Sequence, residues 1–198
     1  MDFNDLNSRL KRLSVALGKR YELDIKSQVK IARKVTSGKH AVEFSFGTLD
    51  ETEMIERIFN VINNIAGLKD HIKNKLRSKN KDPKLIENMI NNSDVLKLIM
   101  DLWNQDKHGY PLTKKNRSKR NPKIININQG LTISRGKKAS VSFSITANCA
   151  SYASSENAAV VISGEVVDET GSFIISVENM FKQAITDIEN FIKSQNLI

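Results

Sequence analysis

Three polar side chains recur at helical spacing in the stretch DVLKLIMDLWNQDKHG, residues 94–109, where Asp101, Asn104 and His108 stand at i, i+3 and i+7. On a helix that spacing stacks them along one face. A histidine one turn beyond an asparagine, with Lys107 beside it and Asp101 behind, can hold a defined tautomer and act as a general acid or base. The same residue types also have a structural use. An imidazole in a last helical turn interacts favourably with the carbonyl end of the dipole, and Asp101 and Asn104 can satisfy neighbouring polar groups. Both readings stay open on the residues alone. Other catalytic signatures are absent: there is no glycine-rich phosphate loop, HExxH, Cys-x-x-Cys or nucleophile elbow, and His40, His71 and His108 are dispersed. Neither a metal nor a cofactor is expected.

The elements that must position these residues are helical up to about residue 110. Ser93 can cap a helix whose Val95, Leu96, Ile99, Met100 and Trp103 form an apolar stripe, and Gly109 can end it in a left-handed conformation. Upstream, Leu6, Leu10, Leu13 and Leu17, continued by Tyr21, Ile25 and Val29, predict one long helix or two over residues 5–35. Residues 36–47, TSGKHAVEFSFG, fit either a short strand or an apolar loop. Thr48 with Glu51 is a capping-box pattern opening a helix that runs to Ser78 on Met54, Ile55, Ile58, Phe59, Ile62, Ile65, Leu68, Ile72 and Leu76. Asp82 and Pro83 then begin a short helix through Ile86 and Ile90.

Beyond Tyr110 the composition changes. Lys114, Lys115, Arg117, Lys119, Arg120 and Lys123 arrive without an acidic residue among them, in a run broken by Pro111 and Pro122. The hydrophobic period then drops to two: Ala139, Val141, Phe143, Ile145 and Ala147 alternate with polar residues, flanked by less regular strands at 125–133, 159–167 and 172–175. An antiparallel meander is the expectation. Ser176 caps a final amphipathic helix that should pack back on the bundle. The fold class is therefore α+β, a mainly helical bundle with a C-terminal antiparallel β-meander and a last helix. It is read as a single domain over 1–198, with bundle core 1–110, basic loop and strands 111–175, and C-terminal helix 176–198.

Composition narrows the partners. Thirty-one Lys and Arg against 22 Asp and Glu give a formal charge of +9, and the excess clusters after residue 110, which favours a polyanion. The single cysteine, Cys149, excludes an internal disulfide and fits a reducing compartment. No apolar run approaches a membrane span, so a soluble, cytoplasmic protein without a membrane partner is expected.

The pairing of GLKDHI at 67–72 with DLWNQDKH at 101–108 resembles HEPN-related helical-bundle proteins of bacteria, in particular a group whose helices read HLKDWI and DLANxxKH. The resemblance covers residues 50–110 and extends to the final helix. It implies a bundle that often dimerises with its polar helix ends around a shared cleft. In the nuclease members an Arg-Asn-x-x-x-His motif cuts RNA without a metal. Asn104 and His108 match that motif, whereas Trp103 stands in the arginine position. An arginine can stabilise the phosphorane charge of RNA cleavage; an indole offers one N–H donor and a stacking surface. The reading is thus a non-catalytic binding module for RNA or another polyanion. Its candidate ligand-binding residues are Asp101, Trp103, Lys107, Tyr110, Lys114, Lys115, Arg117, Lys119 and Arg120. The alternatives are a metal-independent ribonuclease of the toxin or defence kind, with His108 and Asn104 as its catalytic candidates, and a structural protein that forms a homodimer.

Overall fold

The computed structural model of the protein describes residues 6, 8–10, 13, 29–36, 39–46, 51–112, 116–133, 141–145, 150–154 and 158–198. They form a mixture of helix and strand in which helix predominates. The main helices are α1 (Glu51–Ser78), α2 (Leu85–Asn92), α3 (Asp94–His108) and α4 (Val177–Ser194), preceded by helical residues at Leu6, Ser8–Leu10 and Leu13. The strands are β1 (Val29–Thr36), β2 (Lys39–Phe46), β3 (Lys123–Ile133), β4 (Val141–Ile145), β5 (Ala150–Ser154), β6 (Ala158–Val167) and β7 (Phe173–Ser176). No helix among the described residues is long and apolar enough to cross a membrane.

The chain's contacts divide it into two compact units. The first takes Met1–Gly18, Ile55–Asn128 and Ser163–Ile198; the second takes Lys19–Met54 and Gln129–Ile162. The second unit contains two hairpins. In one, β1 pairs antiparallel with β2 from Val29↔Phe46 to Thr36↔Lys39. This corrects the helix expected over 5–35: its last third carries β-branched Val29, Ile31 and Val35 at period two, and the Ser37-Gly38 dipeptide between the strands is a turn signal. It also resolves 36–47 in favour of a strand. In the other hairpin β4 pairs with β5, from Val141↔Ser154 to Ile145↔Ala150.

The expected meander takes a different connectivity. The three-stranded sheet has the order β3-β6-β7, with the β4–β5 hairpin intervening in sequence between β3 and β6. Strand β5, ASYAS, carries little sequence signal, because Tyr152 is its one strand-favouring side chain among alanines and serines. Between β6 and β7 the register slips at Val166/Val167, and both valines are buried. The slip places the extra residue, Ile174, on β7.

The first unit is built on helix ends that the sequence specifies. At the end of α1 the Lys81 N–H reaches the Leu76 carbonyl and the Asn80 N–H the Arg77 carbonyl, with Asn80 at φ +54°. That is the Schellman pattern with asparagine in place of glycine. Helix α4 ends the same way on Asn196, and Leu197 turns back into the core with no exposed surface. Lys81 joins the two ends, its Nζ donating to the Gln195 carbonyl at 2.6 Å.

Ser93 separates α2 from α3. Its Oγ accepts the Leu96 N–H at 3.2 Å, as the cap expectation required, and donates to Asp187 Oδ2 of α4 at 2.6 Å. The last helix therefore does return to the bundle, where Ile188 joins Ile65, Leu68, Ile72 and Ile99 around one small void. At its other end α3 stops at Gly109, whose φ +84° and ψ 164° differ from the expected left-handed helical conformation but are equally a glycine region. The expected α1 cap, Thr48, lies outside the described residues.

Candidate binding cleft

Helix α3 buries Val95, Leu96, Leu98, Ile99, Met100 and Leu102, and among these apolar side chains it also buries a carboxylate. Asp101 has no exposed surface. An unpaired charge there would be costly, and the following loop supplies its partners. Asp101 Oδ1 accepts the backbone N–H of Arg117 at 2.8 Å, and Oδ2 accepts that of Ser118 at 2.7 Å. Two successive N–H groups on one carboxylate make an anion-filled backbone nest, which fixes the loop to the helix.

The loop is organised internally as well. Asn116 Oδ1 accepts from Ser118 Oγ and the Lys119 N–H, its Nδ2 donates to Asn121 Oδ1, and Lys119 and Asn121 sit at φ +60° and +43°. The Glu169 N–H bonds the Arg120 carbonyl, and Asn121 Nδ2 bonds Glu169 Oε2, so the turn between β6 and β7 buttresses it. Asp168 shapes that turn. Hydrogen bonds from Thr170 Oγ1 and from the Ser172 N–H hold its carboxyl below the usual carboxylate range.

Holding the loop backbone sends the Arg117 side chain toward α2. Its guanidinium reaches Glu87 Oε2 at 3.2 Å and Asn91 Oδ1 at 3.0 Å. Glu87 Oε1 meanwhile receives Lys73 at 2.7 Å and Lys69 at 3.0 Å, both from α1. Burial pushes the Glu87 carboxyl up, but hydrogen bonds and charge from Lys73 and Lys69 outweigh it and hold the group at about 2. Three cations against one carboxylate leave two positive charges at this junction.

Beside it opens a cleft of about 390 Å³ lined by Lys69, Met100, Trp103, Asn104, Asn116 and Arg117. No protein-family model, curated protein or solved structure matches the chain. What the cleft can do therefore rests on its own chemistry: an indole and a thioether for a flat apolar group, a carboxamide, and two cations for an anion.

Of the site residues read from the sequence, the cleft brings together Trp103, Asn104 and Arg117. Lys107 adjoins them from outside the lining, its Nζ 3.7 Å from the centre of the Trp103 ring. Tyr110 is exposed, and Lys123 Nζ lies 4.3 Å over its ring. Asp101 sits beneath the loop rather than in the cleft, and His108 is exposed at the end of α3, outside the lining. Lys119 and Arg120 are exposed on the loop, while Lys114 and Lys115 lie outside the described residues. Among the described residues no three His, Cys, Asp or Glu side chains cluster as metal ligands would.

Sequence reading missed Lys69, Met100, Asn116 and Glu87. Lys69 stands within the GLKDHI segment that carried the resemblance, and that was the one available signal. Glu87 is a lone carboxylate on a short helix, and nothing in its own neighbourhood announces three cations from two other segments.

Proposed function

We propose that the chain is a HEPN-like bundle that binds single-stranded RNA at this cleft without cutting it. The observation that carries the reading is the lining itself, where Trp103 and Asn104 stand with Lys69 and Arg117 around an open space. Single-stranded nucleic acid is held by that combination, in which an aromatic ring stacks a base and cations track the backbone. Loop cations Lys119 and Arg120 and the formal charge of +9 add a longer-range attraction.

Against cleavage stands the separation of roles. Asn104 lines the cleft, His108 does not, and the arginine position of the nuclease motif is Trp103. Arg117 does enter the lining, but from the loop, whereas the motif's arginine would precede Asn104 on the helix itself. Fluorescence anisotropy with labelled single-stranded RNA tests the binding. The expected result is affinity that falls steeply with added salt as phosphate contacts are lost. Incubated RNA should stay intact, equally so with His108→Ala, and turnover abolished by that substitution would establish the ribonuclease instead.

A homodimer is supported by a separate observation. Strand β7 lies at the sheet edge and carries Phe173, 63% exposed. Edge strands with exposed apolar side chains favour pairing with another chain. Light scattering at high concentration decides it, and a monomer there would remove the proposal.

A further inference from the structure

The cleft has room for one nucleotide rather than for a length of strand. Its volume of about 390 Å³ lies at the small end of ligand sites, which run from roughly 300 to 1,000 Å³. Its lining also divides by chemistry. Met100 and Trp103 supply apolar surface, and Lys107 covers the indole without being part of the lining, so the cleft side of the ring is left for a ligand. Asn116 is committed to the loop through both ends of its carboxamide. The Asn104 carboxamide has no hydrogen-bond partner among the described residues, and it is the neutral donor and acceptor that remains for a base edge.

The charge balance points to the kind of phosphate. Lys69, Lys73 and Arg117 meet Glu87, Lys107 lies on the Trp103 ring and Asp101 lies beneath the loop. Four cations against two carboxylates leave two positive charges, with Lys69 and Arg117 in the lining. A phosphomonoester carries about −1.5 to −2 at neutral pH, whereas each phosphodiester inside a strand carries one negative charge. The surplus therefore matches a terminal phosphate better than an internal one.

We infer that the cleft takes a nucleotide bearing a phosphomonoester, either the phosphorylated end of a single strand or a free nucleoside monophosphate. The base lies against Trp103 with Asn104 on its edge, and the phosphate lies on Lys69 and Arg117. An asparagine carboxamide pairs with N6 and N7 of adenine, so adenine is the expected base. The strand-end form rests on the RNA-binding reading above; the mononucleotide form does not.

Trp103 is the chain's single tryptophan, so its emission reports on the cleft directly. The test titrates the full-length protein with AMP, CMP, adenosine and inorganic phosphate while following that emission. Anisotropy in parallel compares oligoadenylate with a 5′-phosphate, a 3′-phosphate or neither. The expected result is saturable quenching by AMP, with CMP, adenosine and phosphate each weaker by roughly tenfold or more, and RNA affinity raised roughly tenfold by a terminal phosphate. Asn104→Ala should weaken AMP by roughly tenfold while leaving the far-ultraviolet circular dichroism unchanged, since that carboxamide holds no neighbour.

Unchanged emission with AMP, together with salt-sensitive RNA binding that ignores the terminal phosphate, would overturn the inference and leave the RNA reading standing. Quenching by AMP without RNA binding would do the reverse: the mononucleotide site stands and the strand reading falls. Phosphate alone binding as tightly as AMP would overturn the inference, because it would make the cleft a simple anion site.

Discussion

Asp101 and Arg117 are joined through the backbone, with the buried carboxylate of one accepting the main-chain N–H of the other at 2.8 Å. Because the adjoining Ser118 N–H takes the second oxygen, the loop's position on α3 depends on one side chain. That position is what delivers the Arg117 guanidinium to Glu87 and to the cleft. Asp101→Ala should therefore cost about 3 kcal/mol, the range for losing charged hydrogen bonds and leaving buried N–H groups unmet. Asp101→Asn should cost less, since one carbonyl acceptor remains. Urea denaturation of the three proteins measures both, and a loss below about 0.5 kcal/mol for the alanine variant would mean the loop is held elsewhere.

Glu87 gives the protein an acid limit. Its carboxyl titrates at about 2 when folded and near 4.5 in its ordinary state, so the folded form binds the proton less readily. The resulting stabilisation is complete above about pH 4.5 and is lost as the pH falls toward and through about 2. The shift corresponds to at most about 3 kcal/mol, less what solvent screens from a side chain that is 28% exposed. Stability measured from about pH 5 down to about pH 3 should fall for the parent and fall less for Glu87→Gln. The glutamine variant should also begin lower near neutral pH, because Lys69, Lys73 and Arg117 then face one another without a counter-charge. Parallel pH profiles for the two proteins would show that Glu87 is not the titrating group.

Ser93 does two things with one hydroxyl, capping α3 and donating to Asp187. Ser93→Ala should lose about 2 kcal/mol, made up of a cap worth about 1 and a hydrogen bond to a carboxylate. A double-mutant cycle with Asp187→Ala isolates the second part. A coupling near zero would mean that α4 is fastened by its apolar stripe alone.

Gly164 is buried on β6. A methyl group there would meet a Val177 side-chain carbon at 3.2 Å and an Ile124 side-chain carbon at 3.4 Å. Both are β-branched and stiff, so Gly164→Ala should destabilise by about 1–3 kcal/mol through overpacking. A thermal unfolding midpoint equal to the parent's would indicate that α4 can shift away from the sheet.

The parts of the fold legible in the sequence are those whose signal lies inside one element. The α1 stripe appears with Ile58, Ile62, Ile65, Leu68, Ile72 and Leu76 buried and Met54, Ile55 and Phe59 half-buried, and Ser93 and Ser176 cap where expected. Val29–Thr36 reads as helix when the leucine stripe ahead of it is continued, although the period changes to two there. The site was half legible for a related reason. Spacing put Asp101, Asn104 and His108 on one helix, but it does not report how deep each position lies. Asp101 sits under the loop and His108 in solvent. Periodicity is equally silent on which distant segments meet, so Lys69 and Arg117 around Glu87 had no signature to read.

The most direct test of the cleft as an RNA site compares the parent with Trp103→Ala in the anisotropy titration across a range of salt. Stacking on an aromatic side chain is worth about 1–3 kcal/mol per base, so the variant should bind roughly tenfold more weakly or worse at every salt concentration. Its salt slope should match the parent's, because the phosphate contacts remain. Equal affinity of the two proteins, or no salt-sensitive binding by either, would contradict the proposed function.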